Sequence, residues 1–362
     1  MSLLVFLLCS GLFHFTFTSN RLRMFDIHGP YIKWSGASDY CIKNNESLVT
    51  LYDEEDGNFT DKFQESKTLW LGLRKSRNLT WSNGDNVNFN ESSVILKKGK
   101  QMCEAIDNDT WTGYTCSEKK HFMCSKDGNY TLIEQKEDWC HALKYCRAHN
   151  SDLVSIHNET ENGLVLEKGN KSSFWIGLMQ DEWKWEDNGC SSFRKWIKPL
   201  TRDSDEEEEE ECTNNKHETI EEVGCDQPKQ TFCSKGDMRI KVINESLKWE
   251  EAFKYCETNH SGLLWIEDKE DQDAVEQWLK YSDVVGPFWI ALRQSHVFGF
   301  WIWRDSAVSY NNWKNGFVPV PPSSHICGVI NRTDNYTWTD ENCVLEHPFL
   351  CEEEIVYMNH NE

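Results

Sequence analysis

Residues 338–343 read Trp-Thr-Asp-Glu-Asn-Cys, two carboxylates and an amide within six positions. Oxygens of these types ligate calcium, and an ion held by them can present open positions to the hydroxyls of a polyol. The same residues could instead close a core strand whose acids face solvent. Further carboxylates crowd 203–211, where mutual repulsion favours a solvated loop over a site for cations or a basic partner. Cys140, His141, Cys146 and His149 lie at spacings that suit zinc, but cysteines in an exported chain are better read as disulfides. For catalysis there is no G-x-S-x-G, no H-E-x-x-H and no glycine-rich phosphate loop, and HETIE at 217–221 lacks its second histidine. An enzyme is not expected.

The elements that must position these residues recur three times. Trp34, Ala37, Tyr40 and Cys41 return as Trp139, Ala142, Tyr145 and Cys146, and again as Trp249, Ala252, Tyr255 and Cys256. Trp, Ala and Cys at i, i+3 and i+7 make one face of an amphipathic helix. Short apolar runs follow at 48–51, 153–156 and 263–266, then an acidic, helix-compatible stretch, then WLGL at 70–73, WIGL at 175–178 and WIAL at 289–292. Apolar runs this short, bounded by polar residues, predict buried strands. WKW at 183–185 and WIW at 301–303 add a second cluster where the first copy has only Trp81, and each copy ends in three further cysteines.

The 362 residues suit two or three domains. Residues 1–20 hold an apolar run too short to span a bilayer, which predicts a signal peptide and a secreted, extracellular chain without a membrane anchor. Of fifteen cysteines, Cys9 falls in that segment and the other fourteen suit disulfides. Glycosylation is expected at Asn45, Asn58, Asn78, Asn90, Asn108, Asn129, Asn158, Asn170, Asn244, Asn259, Asn331 and Asn335, each of which begins Asn-x-Ser/Thr. A formal charge of −22 argues against nucleic acid and anionic membranes as partners.

Helix Trp-Ala-Tyr-Cys, a Trp-Ile-Gly-Leu strand and three spaced cysteines together resemble the C-type lectin-like domain, and their tandem arrangement resembles a segment of the mannose-receptor family. The resemblance implies an α+β class: three tandem domains at 25–125, 129–234 and 238–352, each with two helices, small antiparallel sheets and a long loop region, followed by a tail at 353–362. It also implies the pairs Cys41–Cys124, Cys103–Cys116, Cys146–Cys233, Cys212–Cys225, Cys256–Cys351 and Cys327–Cys343. Cys140 and Cys190 remain, for a seventh internal bridge or an interchain bond.

Sugar-binding members of that family hold calcium with Glu-Pro-Asn or Gln-Pro-Asp in the loop, a further Glu, and Trp-Asn-Asp on a late strand. In the third copy Trp338 keeps its distance from Cys343, Thr339-Asp340 stands for Asn-Asp, the loop KNGFVPVPPSSHIC lacks the triplet, and His325 takes the place of the Glu. In the first copy Thr112 and Gly113 follow Trp111, and Gln101 precedes Cys103; in the second Ile220, Glu221 and Glu222 replace the strand triplet. Trp338 thus reads as core and Asp340 as a vestigial metal ligand, since one carboxylate cannot build a shell of six to eight oxygens. No cofactor is expected; calcium at the usual position is not. The ligand-binding candidates are Trp313, His325, Asp340 and Trp196. The expected activity is lectin-like recognition of an extracellular glycan or protein, of the kind associated with innate immunity, with any sugar binding calcium-independent or atypical. The oligomeric state is left open.

Overall fold

The structure is a computed structural model that describes residues 21–64, 67–76, 79–92, 99–198, 200, 211–295, 299–304, 306–319 and 325–358. The expected signal segment, Asn78 and most of the acidic run lie outside them. Contacts divide the chain into two units, Met1–Arg23 with Gly236–Glu353 and Met24–Lys235 with Glu354–Glu362.

The first unit is the third repeat folded on itself. Its first strand, Met238–Leu247, lies beside its last, His347–Glu354, which neighbours Phe288–Gln294. That central strand also pairs with Trp301–Trp303 and Ile326–Asn331, and the latter with Thr337–Asn342. Helices α5 (Trp249–Asn259) and α6 (Lys269–Tyr281) complete it.

In every copy the helix tryptophan and the strand tryptophan bond reciprocally. Trp249 Nε1 donates to Ile290 O at 2.9 Å, and Trp289 Nε1 to Leu247 O at 2.9 Å. Trp139 and Trp175 repeat this with Ile176 O and Glu137 O, and Trp34 and Trp70 with Leu71 O and Ile32 O. Each indole N–H thus finds a partner in the core, which is what lets Trp be buried there. Truncating any of these indoles should cost about 3–5 kcal/mol. The second helices begin alike: Asp53, Asn158 and Asp268 accept the backbone N–H three residues on, the standard N-cap arrangement.

The second unit does not follow the repeat boundaries. Its first strand, Met24–Ile32, pairs with Lys229–Lys235 at the end of the second repeat, and Leu69–Lys75 pairs with Glu211–Lys216 and Trp183–Trp185. Between them, the end of the first repeat assembles with the start of the second. Lys120–Lys126 pairs with Asn129–Glu137 and runs parallel to Phe174–Gln180, which pairs with Met102–Asp107. The result is an outer lobe of residues 24–75 and 183–235, and an inner lobe of residues 79–180. Helices α1 (Trp34–Lys43) and α2 (Glu54–Phe63) belong to the outer lobe, α3 (Trp139–Ala148) and α4 (Glu159–Gly169) to the inner. The two paths meet where Ser76 N donates to Glu182 O at 2.7 Å.

Strand pairing therefore crosses between the repeats expected at 25–125 and 129–234, and two disulfides cross with it. Cys41 bonds Cys233 and Cys124 bonds Cys146, in place of Cys41–Cys124 and Cys146–Cys233. Cys103–Cys116, Cys212–Cys225, Cys256–Cys351 and Cys327–Cys343 stand as the resemblance implies, and Cys140 bonds Cys190. With Cys140 and Cys146 both in disulfides, no thiolate is left for zinc in 140–149.

The physical reason lies in the junction. Lys126 pairs with Asn129 around Asp127-Gly128, whose φ values of 48° and 76° are both left-handed. A two-residue loop with two left-handed positions is the type I′ hairpin, which Asp-Gly strongly favours. The fold requires its first and last strands to be neighbours, so this hairpin gives the last strand of repeat one the first strand of repeat two as its partner. At the next junction the order is Gly236-Asp237, and only Gly236 is left-handed, at 97°. The third repeat keeps its own strands.

Candidate ligand-binding face

In the third repeat, Trp338 on Thr337–Asn342 is fully buried. Its Nε1 donates to Gln272 Oε1 on α6 at 3.0 Å, and its ring meets Trp303 edge-on at 5.2 Å and Trp313 at 6.0 Å. Asp340, two residues on, shares Trp338's side of the strand but lies past the edge of the core, exposed, directly across from Gly328. The position opposite therefore has no side chain to complete a ligand set. His325 is exposed and left-handed, its carbonyl accepting from Cys343 N at 3.1 Å. These residues do not fit calcium, which needs six to eight oxygens. Among the described residues, the one group of three His, Cys, Asp or Glu with donor atoms within 4.8 Å is His28, Glu46 and Cys233, and Cys233 is spent in a disulfide.

Beside that strand opens a pocket of about 570 Å³, walled by Phe300, Trp301, Val308, Tyr310, Trp313 and Val318. Trp301 and Trp313 pack at 4.6 Å, and Trp301 Nε1 donates to Pro319 O at 3.3 Å. Tyr310 meets Trp338 edge-on at 5.7 Å, and burial holds its phenol above the ordinary value, so it stays a neutral donor. The pocket can offer ring faces and apolar walls, with Ser309 and Asn311 as polar groups.

Trp313 is not the exposed platform expected from its loop position: it is 3% exposed, wedged between Trp301 and Trp338. Among the described residues of the third repeat the exposed aromatics are Phe300 and Phe317, the latter 80% accessible, which the sequence reading missed. Alternation in Phe300-Trp301-Ile302-Trp303 carried the signal for Phe300, since both tryptophans of that strand point inward.

The outer lobe repeats the pattern with a different ending. Trp196 packs on Trp183 at 4.9 Å, and it bridges Ile220 as Trp313 bridges Trp338. Its Nε1 donates to Gly99 O at 2.7 Å, so this candidate pins the outer-lobe loop to the inner-lobe loop. Gln101 Nε2 makes a second tie, to Ser191 O at 3.3 Å. Glu221 accepts from Lys216 Nζ at 2.7 Å and Asn214 Nδ2 at 3.2 Å; burial pushes its carboxyl up, but these partners outweigh that and hold it below the ordinary range. In the inner lobe Trp111 is buried and donates to Asn162 Oδ1 at 3.1 Å. Thus Trp196 and Trp313 serve packing and loop ties within their own units, while His325 and Asp340 stand exposed. Of the described sequon asparagines, Asn331 is half-buried, its Oδ1 accepting from Thr333 N at 3.0 Å, and the others are exposed.

The lectin C-type domain model matches residues 31–126, 135–235 and 245–353. The secretory phospholipase A2 receptor of Bos taurus is 21% identical over 95% of this chain and 29% of its own length. C-type mannose receptor 2 of Mus musculus is 22% identical over 88% of this chain and 28% of its own length. The chain thus spans under a third of these relatives. Human lithostathine, as a crystal structure, is 23% identical over 32% of this chain and 82% of its own, with a TM-score of 0.29. Among the described residues no helix is long and apolar enough to cross a membrane. By the three consecutive domain matches that cover most of its length, the chain belongs to the lectin C-type domain family.

Proposed function

We propose that the chain is a secreted extracellular recognition protein of the lectin type whose glycan binding does not run through calcium. The observation that carries this is the aromatic pocket of the third repeat, which lies beside a late strand whose two acids, Asp340 and Glu341, alternate sides, so that Asp340 is the one carboxylate on the side of Trp338. A sugar's apolar face stacks on ring faces without a metal, and Ser309, Asn311 and the Tyr310 hydroxyl supply hydrogen bonds at the rim. Retention of glycan-array signal in excess chelator, with at least a tenfold loss for Phe300→Ser, is the expected result. Signal abolished by chelator and restored by calcium would overturn the reading.

A second reading has its own observation. Phe317 and Val318 are exposed beside the pocket, and such an apolar rim suits a protein surface better than a free sugar. Saturable protein binding indifferent to both chelator and free sugar would favour it.

A further inference from the structure

Residues 354–358 pack as part of the interleaved unit. Tyr357 forms an antiparallel bridge with Gly189, Cys190 N donates to Val356 O at 2.6 Å, and Met358 N donates to Asn188 O at 2.7 Å. Arg147 on α3 donates to two successive carbonyls of the segment, Tyr357 O and, at 2.7 Å, Met358 O. That guanidinium is held independently of the segment, by Asp152 at 2.9 Å and Ser82 O at 2.8 Å. Val356 and Met358, two residues apart and so on one side of an extended chain, pack against the buried cluster that contains Cys146, Trp175 and Cys190. Lys144 Nζ meets Glu354 at 3.0 Å.

Every polar contact named above except the Lys144 pair reads backbone; Val356 and Met358 read alternate side chains, and Ile355 between Glu354 and Val356 is buried as well. This is the chemistry of strand addition to an exposed edge, in which main-chain bonds supply affinity and alternate side chains supply selectivity. We propose that the groove between Arg147 and Cys190 is a strand-capture site for extended peptides with apolar side chains at alternate positions, and that residues 355–358 are its resident occupant. The resident segment is tethered, so it competes at an effective concentration in the millimolar range and keeps the groove closed to weaker peptides in trans.

A fluorescein-labelled peptide of residues 353–360, EEIVYMNH, tests this by polarisation against three full-length chains: wild type, the V356D/M358D double variant, and that variant with R147Q added. The double variant is expected to bind the peptide at least tenfold more tightly than wild type, and R147Q to remove the gain. Equal binding to wild type and double variant, or a gain that survives R147Q, overturns the proposal. Should the double variant fold poorly, amide exchange in the wild type decides: slow exchange at Cys190 N–H supports the resident strand, and fast exchange overturns it.

Discussion

Cys41 is bonded to Cys233 across 192 positions, their Cα atoms 5.7 Å apart, so the helix that opens the first repeat is stapled to the strand that ends the second. Proteolysis without reduction, followed by mass spectrometry, should recover peptides joining Cys41 to Cys233 and Cys124 to Cys146. Peptides joining Cys41 to Cys124 would mean that the repeats fold separately. Because the closed loop is long, replacing Cys41 and Cys233 together with alanine should cost about 5 kcal/mol on the loop-entropy model.

The junction turn gives a sharper test of cause. Exchanging Asp127-Gly128 for Gly-Asp reproduces the order at residues 236 and 237 and puts a side chain at a position with φ of 76°. A non-glycine residue held there costs on the order of 1 kcal/mol, and the type I′ preference is lost as well. The exchanged variant should therefore show a measurable fraction of Cys41–Cys124 and Cys146–Cys233 peptides in the same mapping. An unchanged map would show that strand pairing, and not the turn, selects the interleaved path.

The repeating elements were legible because their signals are local. Trp34, Ala37 and Cys41 set the helix face, and the WLGL and WIGL runs mark the strands that receive it. Which C-terminal half completes which N-terminal half was not legible, since Trp34–Cys41 and Trp139–Cys146 present the same face and either partner satisfies it. The Asp-Gly between two strand-forming segments was the clue, and its weight shows only against Gly236-Asp237. Trp313 misled for a related reason: loop position suggests exposure, but Trp301 and Trp338, 12 and 25 residues away, cover it.

Arg21 directly follows the expected signal segment, and its guanidinium fills a site of converging oxygens. It donates to Glu352 at 2.7 Å, Asp271 at 2.8 Å and Trp265 O at 2.6 Å, and it lies over the Trp265 ring at 4.4 Å. Burial pushes the Glu352 carboxyl up, and Arg21 opposes that push. Arg21→Ala leaves two buried carboxylates without their cation and should cost about 3–5 kcal/mol in chemical denaturation. Adding Glu352→Gln to that variant should restore part of the loss, because a neutral amide is cheaper to bury. If Arg21→Ala melts like the wild type, the guanidinium holds nothing in place.

Glu353, the neighbouring acid, behaves in the opposite sense. Burial alone would raise its carboxyl, but the His260 contact and the positive charge of Arg239 and Lys241 outweigh it, holding the group at about 2 against an ordinary 4.5. Arg239 Nη1 lies 2.7 Å from one oxygen and His260 Nδ1 3.4 Å from the other. A depressed acid stabilises the folded state above its unfolded value, and that stability is lost as pH falls toward the folded value. The window is therefore pH 4.5 down to 2, and the shift corresponds to about 3 kcal/mol at most. Glu353→Gln should melt below the wild type at pH 5, and the margin should close as pH approaches 2. A margin that stays constant through that window would show that the ionised carboxylate is not what Arg239 and His260 recognise.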